Sequence, residues 1–246
     1  MTASRSQALL EARALCGWYG AAQVLFDVDL QVQRGQVVAL MGRNGAGKST
    51  LLKALMRLLP RQQGQVLFLG HDISALEPYQ VARLGLGYVP EDRRVFTDLT
   101  VQENLDVGRQ APRHWPDGTA LPPWTPQVLY TLFPNLATMQ GRRAGRMSGG
   151  EQQMLTVART LMGNPYLVLL DEPSEGVAPL IVEQMVQTIL ELKRQDVGIL
   201  LSEQNQFFAA LVSDHAYVLE KGQVRFQGTM AELQADEAVR NTYLGL

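Results

Sequence analysis

Eight consecutive residues, Gly42-Arg43-Asn44-Gly45-Ala46-Gly47-Lys48-Ser49, have the spacing G-x-x-x-x-G-K-[ST]. Glycines at those places let a loop wrap tightly enough for its amides to point at phosphate oxygens. A helix opening at the end of the loop adds a favourable potential for anions. In such a loop Lys48 reaches the β- and γ-phosphates of a nucleotide and the Ser49 hydroxyl ligates Mg²⁺, while Arg43, Asn44, Ala46 and Thr50 complete the cradle. A second chemical pair, Asp171-Glu172, closes an apolar run. Asp171 is suited to hold Mg²⁺ through water, and Glu172 to polarise an attacking water.

These residues need rigid elements beneath them. The apolar run at 37–41 reads as a strand entering the glycine loop, and residues 49–59 as a helix that stops before Pro60. Residues 166–170 and 198–201 are uninterrupted apolar runs too short for typical helices, the pattern of strands buried on both faces of a parallel sheet. Ile181, Met185, Ile189 and Leu192 have the spacing of a crossover helix between them. Carboxylates at the C-terminal ends of such strands fall where open α/β sheets bind ligands. Residues 24–40 read as two strands around a turn at Arg34-Gly35, and 65–69 and 87–89 as short strands. Thr100/Glu103, Ser148/Glu151 and Thr229/Glu232 have capping-box spacing, each before a plausible helix. Residues 110–126 carry five prolines and read as irregular and exposed. The pattern is a nucleotide-type α/β core around a helical insert spanning about 92–165.

The whole-chain numbers are those of an ordinary globular chain. Of 246 residues, 46% are hydrophobic and 19% charged, which excludes disorder as the main state. Twenty-two basic and 24 acidic residues leave a net charge of −2, so overall charge offers no reason to bind nucleic acid. The single Cys16 excludes an intrachain disulfide and a thiolate metal cluster. No apolar run approaches the ~18–20 residues of a membrane span, and no signal-peptide core opens the chain. The expectation is a soluble intracellular protein, held at any membrane by partners. His71, His114 and His215 lack metal-ligand spacing, and Arg142, Arg143 and Arg146 read as a solvated charged face.

Met147-Ser148-Gly149-Gly150-Glu151-Gln152-Gln153 resembles the signature motif of ATP-binding cassette (ABC) ATPases, usually Leu-Ser-Gly-Gly-Gln. The likeness runs over about 14–246, with every motif in the family's order. It implies a P-loop NTPase (RecA-like) α/β fold, with an antiparallel β subdomain and an inserted α-helical subdomain. The implied layout is one ATPase domain over 8–246, its core at about 8–91 and 166–246 and its helical subdomain at about 92–165. ATP and Mg²⁺ are the implied ligands. Ser148, Gly149, Gly150 and Glu151 would form a second anion site, closing on a γ-phosphate held by another subunit. Tyr19, beside Trp18, matches the aromatic that stacks on adenine. Three places depart from the family: Glu91 stands where a Mg²⁺-facing Gln is usual, Gln204 where a γ-phosphate-sensing His is usual, and Ala178 apparently where an Asp bridges subunits. They imply a site that binds ATP and turns it over slowly.

Tyr88-Val-Pro-Glu91-Asp-Arg-Arg94-Val-Phe96, Leu132-Phe-Pro-Asn135, Asp171-Glu-Pro-Ser174-Glu-Gly176-Val-Ala-Pro179 and Ser202-Glu-Gln-Asn205 are similar to one branch, the second ATPase subunit of branched-chain amino acid importers, the LivF type. That branch implies a peripheral protein on the cytoplasmic face of the inner membrane. It implies pairing with a second cassette, as a heterodimer or in isolation a homodimer, and with two integral membrane permease subunits. A periplasmic or extracellular solute-binding protein acts indirectly, and nucleic acid is not involved. Arg93, Arg94 and Phe96 would lie near a membrane-subunit helix. Importers of urea, short-chain amides or other small polar solutes are the alternative. A nucleotide-gated scaffold with little hydrolysis is the alternative of another class.

Overall fold

The computed structural model describes residues 8–245, and in it the uninterrupted apolar runs fold as buried strands. Along the chain, β1 (Leu10–Tyr19), β2 (Ala22–Val32) and β3 (Val37–Met41) lead to α1 (Lys48–Leu55). Next come β4 (Arg61–Phe68), β5 (His71–Asp72), α2 (Pro78–Leu84) and β6 (Leu86–Val89). Four helices follow: α3 (Val101–Gly108), α4 (Pro126–Leu132), α5 (Pro134–Ala137) and α6 (Gly149–Leu161). The chain then forms β7 (Leu167–Asp171), α7 (Pro179–Arg194), β8 (Gly198–Glu203) and α8 (Gln206–Val212). There follow β9 (His215–Glu220), β10 (Gln223–Thr229), α9 (Met230–Ala235) and α10 (Glu237–Val239), which runs on into a short π-helix at Arg240–Leu244.

One sheet has six strands in the order β10-β9-β3-β8-β7-β6. It is parallel from β9 to β6, and only the β9–β10 pair is antiparallel. Every residue of β3, β7 and β8 is buried, as strands without a polar face require. Helix α7 turns Ile181, Met185, Ile189 and Leu192 inward. The second sheet, β2-β1-β4-β5, is antiparallel. The two strands flanking Arg34-Gly35 therefore lie in different sheets and form no hairpin. β2 mixes buried and exposed positions and suits a half-solvated sheet, whereas β3 is apolar throughout and enters the covered one.

Register matters for function. Met41 pairs with Glu203, and Asp171 with Ser202, so the C-terminal ends of β3, β7 and β8 are level at one sheet edge. All three capping boxes form, at the starts of α3, α6 and α9. The proline-rich segment is irregular but not simply exposed: Trp115, Leu121 and Trp124 are buried. Prolines remove amide donors without removing the gain from burying aromatic surface. Here Trp115 packs on Tyr166 at 4.9 Å, and Asn164 pins the segment by accepting from the Trp124 amide and donating to the Gln110 carbonyl. Among the described residues, no group of three or more His, Cys, Asp or Glu side chains could hold a metal by itself. Leu246, the last residue of the sequence likeness, lies outside the described residues.

Candidate active site

The glycine loop turns directly from β3 into α1. A Cβ at Gly42 would strike the Leu219 carbonyl oxygen, and Gly47, the N-cap of α1, has φ 107°, a conformation that other residues rarely adopt. Lys48, at the first turn of α1, is buried, and its three ammonium hydrogens have three acceptors. These are the Gly42 carbonyl at 2.9 Å, the Arg43 carbonyl at 3.3 Å and Glu172 Oε1 at 3.0 Å. The buried Ala46 anchors the loop from below, its carbonyl accepting from the Gly222 amide at 2.8 Å.

Asp171 and Glu172 leave the end of β7 in opposite roles. Asp171 Oδ1 accepts from Ser49 Oγ at 2.9 Å and from Ser202 Oγ at 2.6 Å, and Oδ2 accepts from the Tyr88 hydroxyl at 3.2 Å. Burial, and then the Asp171 charge, push the Tyr88 hydroxyl far up, so it stays a donor at any ordinary pH. Glu172 has φ 44°, which turns its side chain back over the loop. Its Oε2 accepts from Gln204 Nε2 at 2.8 Å, and the same Gln204 amide donates to Asn44 Oδ1 at 2.7 Å. Lys48, Glu172, Gln204 and Asn44 thus form one connected chain across three strand ends. Burial works to raise Glu172, but hydrogen bonds from Glu175, Gln204 and Lys48, with the Lys48 charge, hold it below the usual glutamate range.

Three residues here received no role from the sequence. Glu175 shares a hydrogen bond with the Glu172 carboxyl. That bond, partial burial and the charges of Glu172, Glu91 and Glu203 push it up to about 7. Glu203, at the end of β8, is almost fully buried, which raises it. Its oxygens accept from the amides of Ser174, Gln204 and Asn205, tying the segment after β7 to the segment after β8. Ser202 supports both acidic residues, since its carbonyl and its hydroxyl each accept from the Glu172 amide at 3.1 Å. The legible signal was position: Ser202 and Glu203 close the buried strand β8, whereas Glu175, four residues past the end of β7, carried no such signal.

A cavity of about 460 Å³ opens above the loop, lined by Asn44, Gly45, Gly47, Lys48, Ser49, Thr50, Glu91, Glu172 and Glu175 among others. Beside it, a hollow of about 360 Å³ is lined by Tyr19, Lys53, Tyr88, Glu91 and Asp171. Tyr19 is exposed, whereas Trp18 is half-buried with the Arg61 guanidinium over its ring at 4.7 Å, so Tyr19 is the ring open to a ligand. Arg43 is exposed and faces the chain's end, where a Cβ at Gly245 would come within 3.2 Å of its Nε. Ser148, Gly149, Gly150 and Glu151 do not line the cavity over their own chain's loop. At the start of α6, the Glu151 carboxylate accepts from the Ser148 amide at 2.7 Å, and Ser148 Oγ from the Glu151 amide at 3.3 Å. The Ser148 amide is therefore occupied within the chain. The Arg93 guanidinium lies where a Cβ at Gly149 would be, so Arg93 rests on the signature glycine rather than pointing away. The neighbouring loop is clamped to α6. Thr156 Oγ1 donates to the Arg93 carbonyl, Arg159 donates to the Arg94 carbonyl at 2.8 Å, and the Arg159 guanidinium covers the half-exposed Phe96 ring at 5.0 Å.

A buried ammonium, loop amides and a helix N-terminus suit a bound phosphate, and a carboxylate held beside them suits activation of water. The sequence profile of the ABC transporter family matches residues 25–175. This chain belongs to the ABC transporter family. As an ATPase of that family it binds and hydrolyses ATP. It is 43% identical to the high-affinity branched-chain amino acid transport ATP-binding protein BraG of Pseudomonas aeruginosa, over 93% of this chain and 96% of that one. It is 36% identical to the probable branched-chain amino acid transport ATP-binding protein LivF of Archaeoglobus fulgidus, over 97% and 99%. Its fold is similar to the ADP conformation of an ATP-binding cassette of an ABC transporter, with TM-score 0.79 and 28% identity over 98% of this chain and all of the other. The mixed sheets and α/β core agree with the P-loop NTPase fold of these cassettes. ABC ATPase subunits of transporters work with membrane permease subunits. Among the described residues, no helix here is long and apolar enough to cross a membrane.

Proposed function

We propose that this ABC ATPase energises an importer of branched-chain amino acids from the cytoplasmic face of the inner membrane. The observation that carries the cargo is the 43% identity to BraG over nearly the whole of both chains. In the proposed complex two cassettes, of which this chain is one, pair beneath two integral membrane permeases, with a periplasmic or extracellular binding protein delivering solute. Each ATP is held between one chain's glycine loop and the other's signature, here Gly149 and Gly150 at the start of α6. The absence of the signature from this chain's own phosphate cavity supports that division. The organisation proposed for the chain is a nucleotide core at about 8–91 and 166–246 and a helical subdomain at about 92–165.

Within this chain's site, Tyr19 stacks on adenine, the loop amides and Lys48 bind the phosphates, and Glu172 orients and deprotonates the attacking water. Ser49, Asp171 and Glu91 offer oxygen donors only, a set suited to Mg²⁺ completed by phosphate oxygens and water. The ion would supply charge neutralisation on the phosphates. Gln204, bonded to both Glu172 and Asn44, holds the base against the loop.

The clamp between residues 93–96 and α6 supports a role for this loop in passing motion from the signature helix to a permease. In vesicles containing the assembled transporter, ATP inside should drive leucine uptake. Phe96→Ala should lower uptake about 5-fold or more, the lower range of coupling between sites, while basal ATP hydrolysis stays near normal. No leucine uptake overturns the cargo reading, and a proportional fall in both activities removes Phe96 from the coupling path.

The pair is proposed to be unequal. Glu91 adds a carboxylate beside the phosphates and accepts hydrogen bonds without donating any, and Gln204 cannot carry the proton or charge that a His can. This chain's site then hydrolyses slowly, and most turnover occurs on the loop of a sister cassette. In single-turnover hydrolysis by the complex, changing the partner's catalytic Glu to Gln should cost more than Glu172→Gln. The reverse order, or a homodimer of this chain as active as the complex, overturns the asymmetry.

A further inference from the structure

The Arg93 guanidinium lies between two glycines of different segments. A Cβ at Gly149, the first residue of α6, would strike its Nη1, and one at Gly176, in the segment that follows Glu172, would come within 3.9 Å of its Nη2. The side chain belongs to a half-buried residue, yet among the described residues its guanidinium makes no hydrogen bond or ion pair. The backbone fixes it there. Arg93 has φ 63° and Arg94 φ 40°, and the Arg93 carbonyl accepts from the Thr156 hydroxyl of α6. Such conformations persist only where the surroundings over-determine them, and here they hold a cation in place without a counter-ion. The start of α6 has a use for that charge. The Glu151 carboxylate accepts from the Ser148 amide, so it takes up one donor and adds a negative charge where the usual Gln would add none. The amides of Gly149 and Gly150, in the first turn of the helix, have no intrahelical acceptor.

We propose that Arg93 is a phosphate-binding residue of the signature: its guanidinium, beside the Gly149 and Gly150 amides, meets the γ-phosphate of ATP held on the partner cassette's loop and offsets the Glu151 carboxylate. A guanidinium presents a planar fork of N–H donors that matches two oxygens of one phosphoryl group. The space it occupies exists because residue 149 has no side chain. The same residue joins two contacts, since its carbonyl is bonded to α6 while its side chain would hold the partner's nucleotide. The inference rests on the proposed reading in which each ATP lies between one chain's loop and the other's signature.

The experiment is photolabelling of the assembled transporter with 8-azido-ATP. The background carries Glu172→Gln and the matching Glu-to-Gln change in the partner, so that nucleotide is consumed slowly. Adenine stays on the chain whose loop holds its phosphates, so the label reports each site separately. Unlabelled ATP is added in excess after binding, and the loss of label from each chain is timed. Arg93→Gln should speed release from the partner's loop roughly 10- to 150-fold, the loss of one charge-assisted hydrogen bond. Release from this chain's own loop should change less. Arg93→Lys keeps the charge without the fork and should fall between Arg and Gln. Retention unchanged by Arg93→Gln overturns the inference alone. Equal speeding on both chains with no recovery by Lys also overturns it, since that is a general loosening of the pair. If neither chain retains label before Arg93 is changed, the paired reading falls, and the inference with it.

Discussion

Glu172→Gln in the assembled transporter is expected to slow ATP turnover at this chain's site by about 10²–10⁴-fold, the usual worth of a positioned general base. The amide matches the carboxylate in shape and its single oxygen can still accept from Gln204, so the link from residue 172 through Gln204 to Asn44 keeps its geometry. What disappears is the acceptor for the water proton. The ion pair to Lys48 goes with it, which leaves that ammonium freer to meet phosphate, so binding of ATP should be as tight as before or tighter. Phosphate release in a single turnover, with ATP affinity measured alongside, checks both halves. Unchanged hydrolysis at this site would remove Glu172 from the role of base.

Lys48→Ala should act in the opposite sense, on binding first. A charge-assisted hydrogen bond contributes about 1.5–3 kcal/mol, so its loss should weaken ATP binding roughly 10- to 150-fold. The change also leaves an enclosed carboxylate without its cation, which destabilises the folded chain. Gln204 and Glu175 still donate to Glu172, so this loss should be smaller than for a pair with no other partners. Titration calorimetry reads the affinity, and thermal melting shows whether the variant remains folded. A folded variant that binds ATP normally would show that Lys48 does not face the phosphates.

The two substitutions separate because the structure places both side chains at the level end of the parallel strands. Only one of them is in the loop that cradles phosphate. Lys48 opens α1 behind two glycines whose backbone conformations other residues would strain. Glu172 follows a fully buried strand and turns back at positive φ.

Local sequence was enough to specify the strand–loop–helix around Lys48, the buried runs at 166–170 and 198–201, and the capped helix at Ser148. Each depends on neighbours within a few residues: glycine spacing, unbroken apolar runs, or a hydroxyl three places before a carboxylate. Glu91 and Gln204 were also legible as unusual, because their chemistry is a property of the residue alone. What those groups touch was set by tertiary packing. Parallel register set β3, β7 and β8 level, and so brought Asn44 within hydrogen-bond reach of Gln204, 160 residues away in sequence. Packing turned residues 24–40 into strands of two sheets, because β3 is apolar on both faces and β2 is not. It sank Trp115 and Trp124 into the core despite the surrounding prolines, and it turned the chain after β7 so that Glu172 and Glu175 line one cavity. That fold has no signature in spacing, because it needs a strand end and a tight turn, closed by the Glu175 amide on the Glu172 carbonyl at 3.1 Å, to meet at one point.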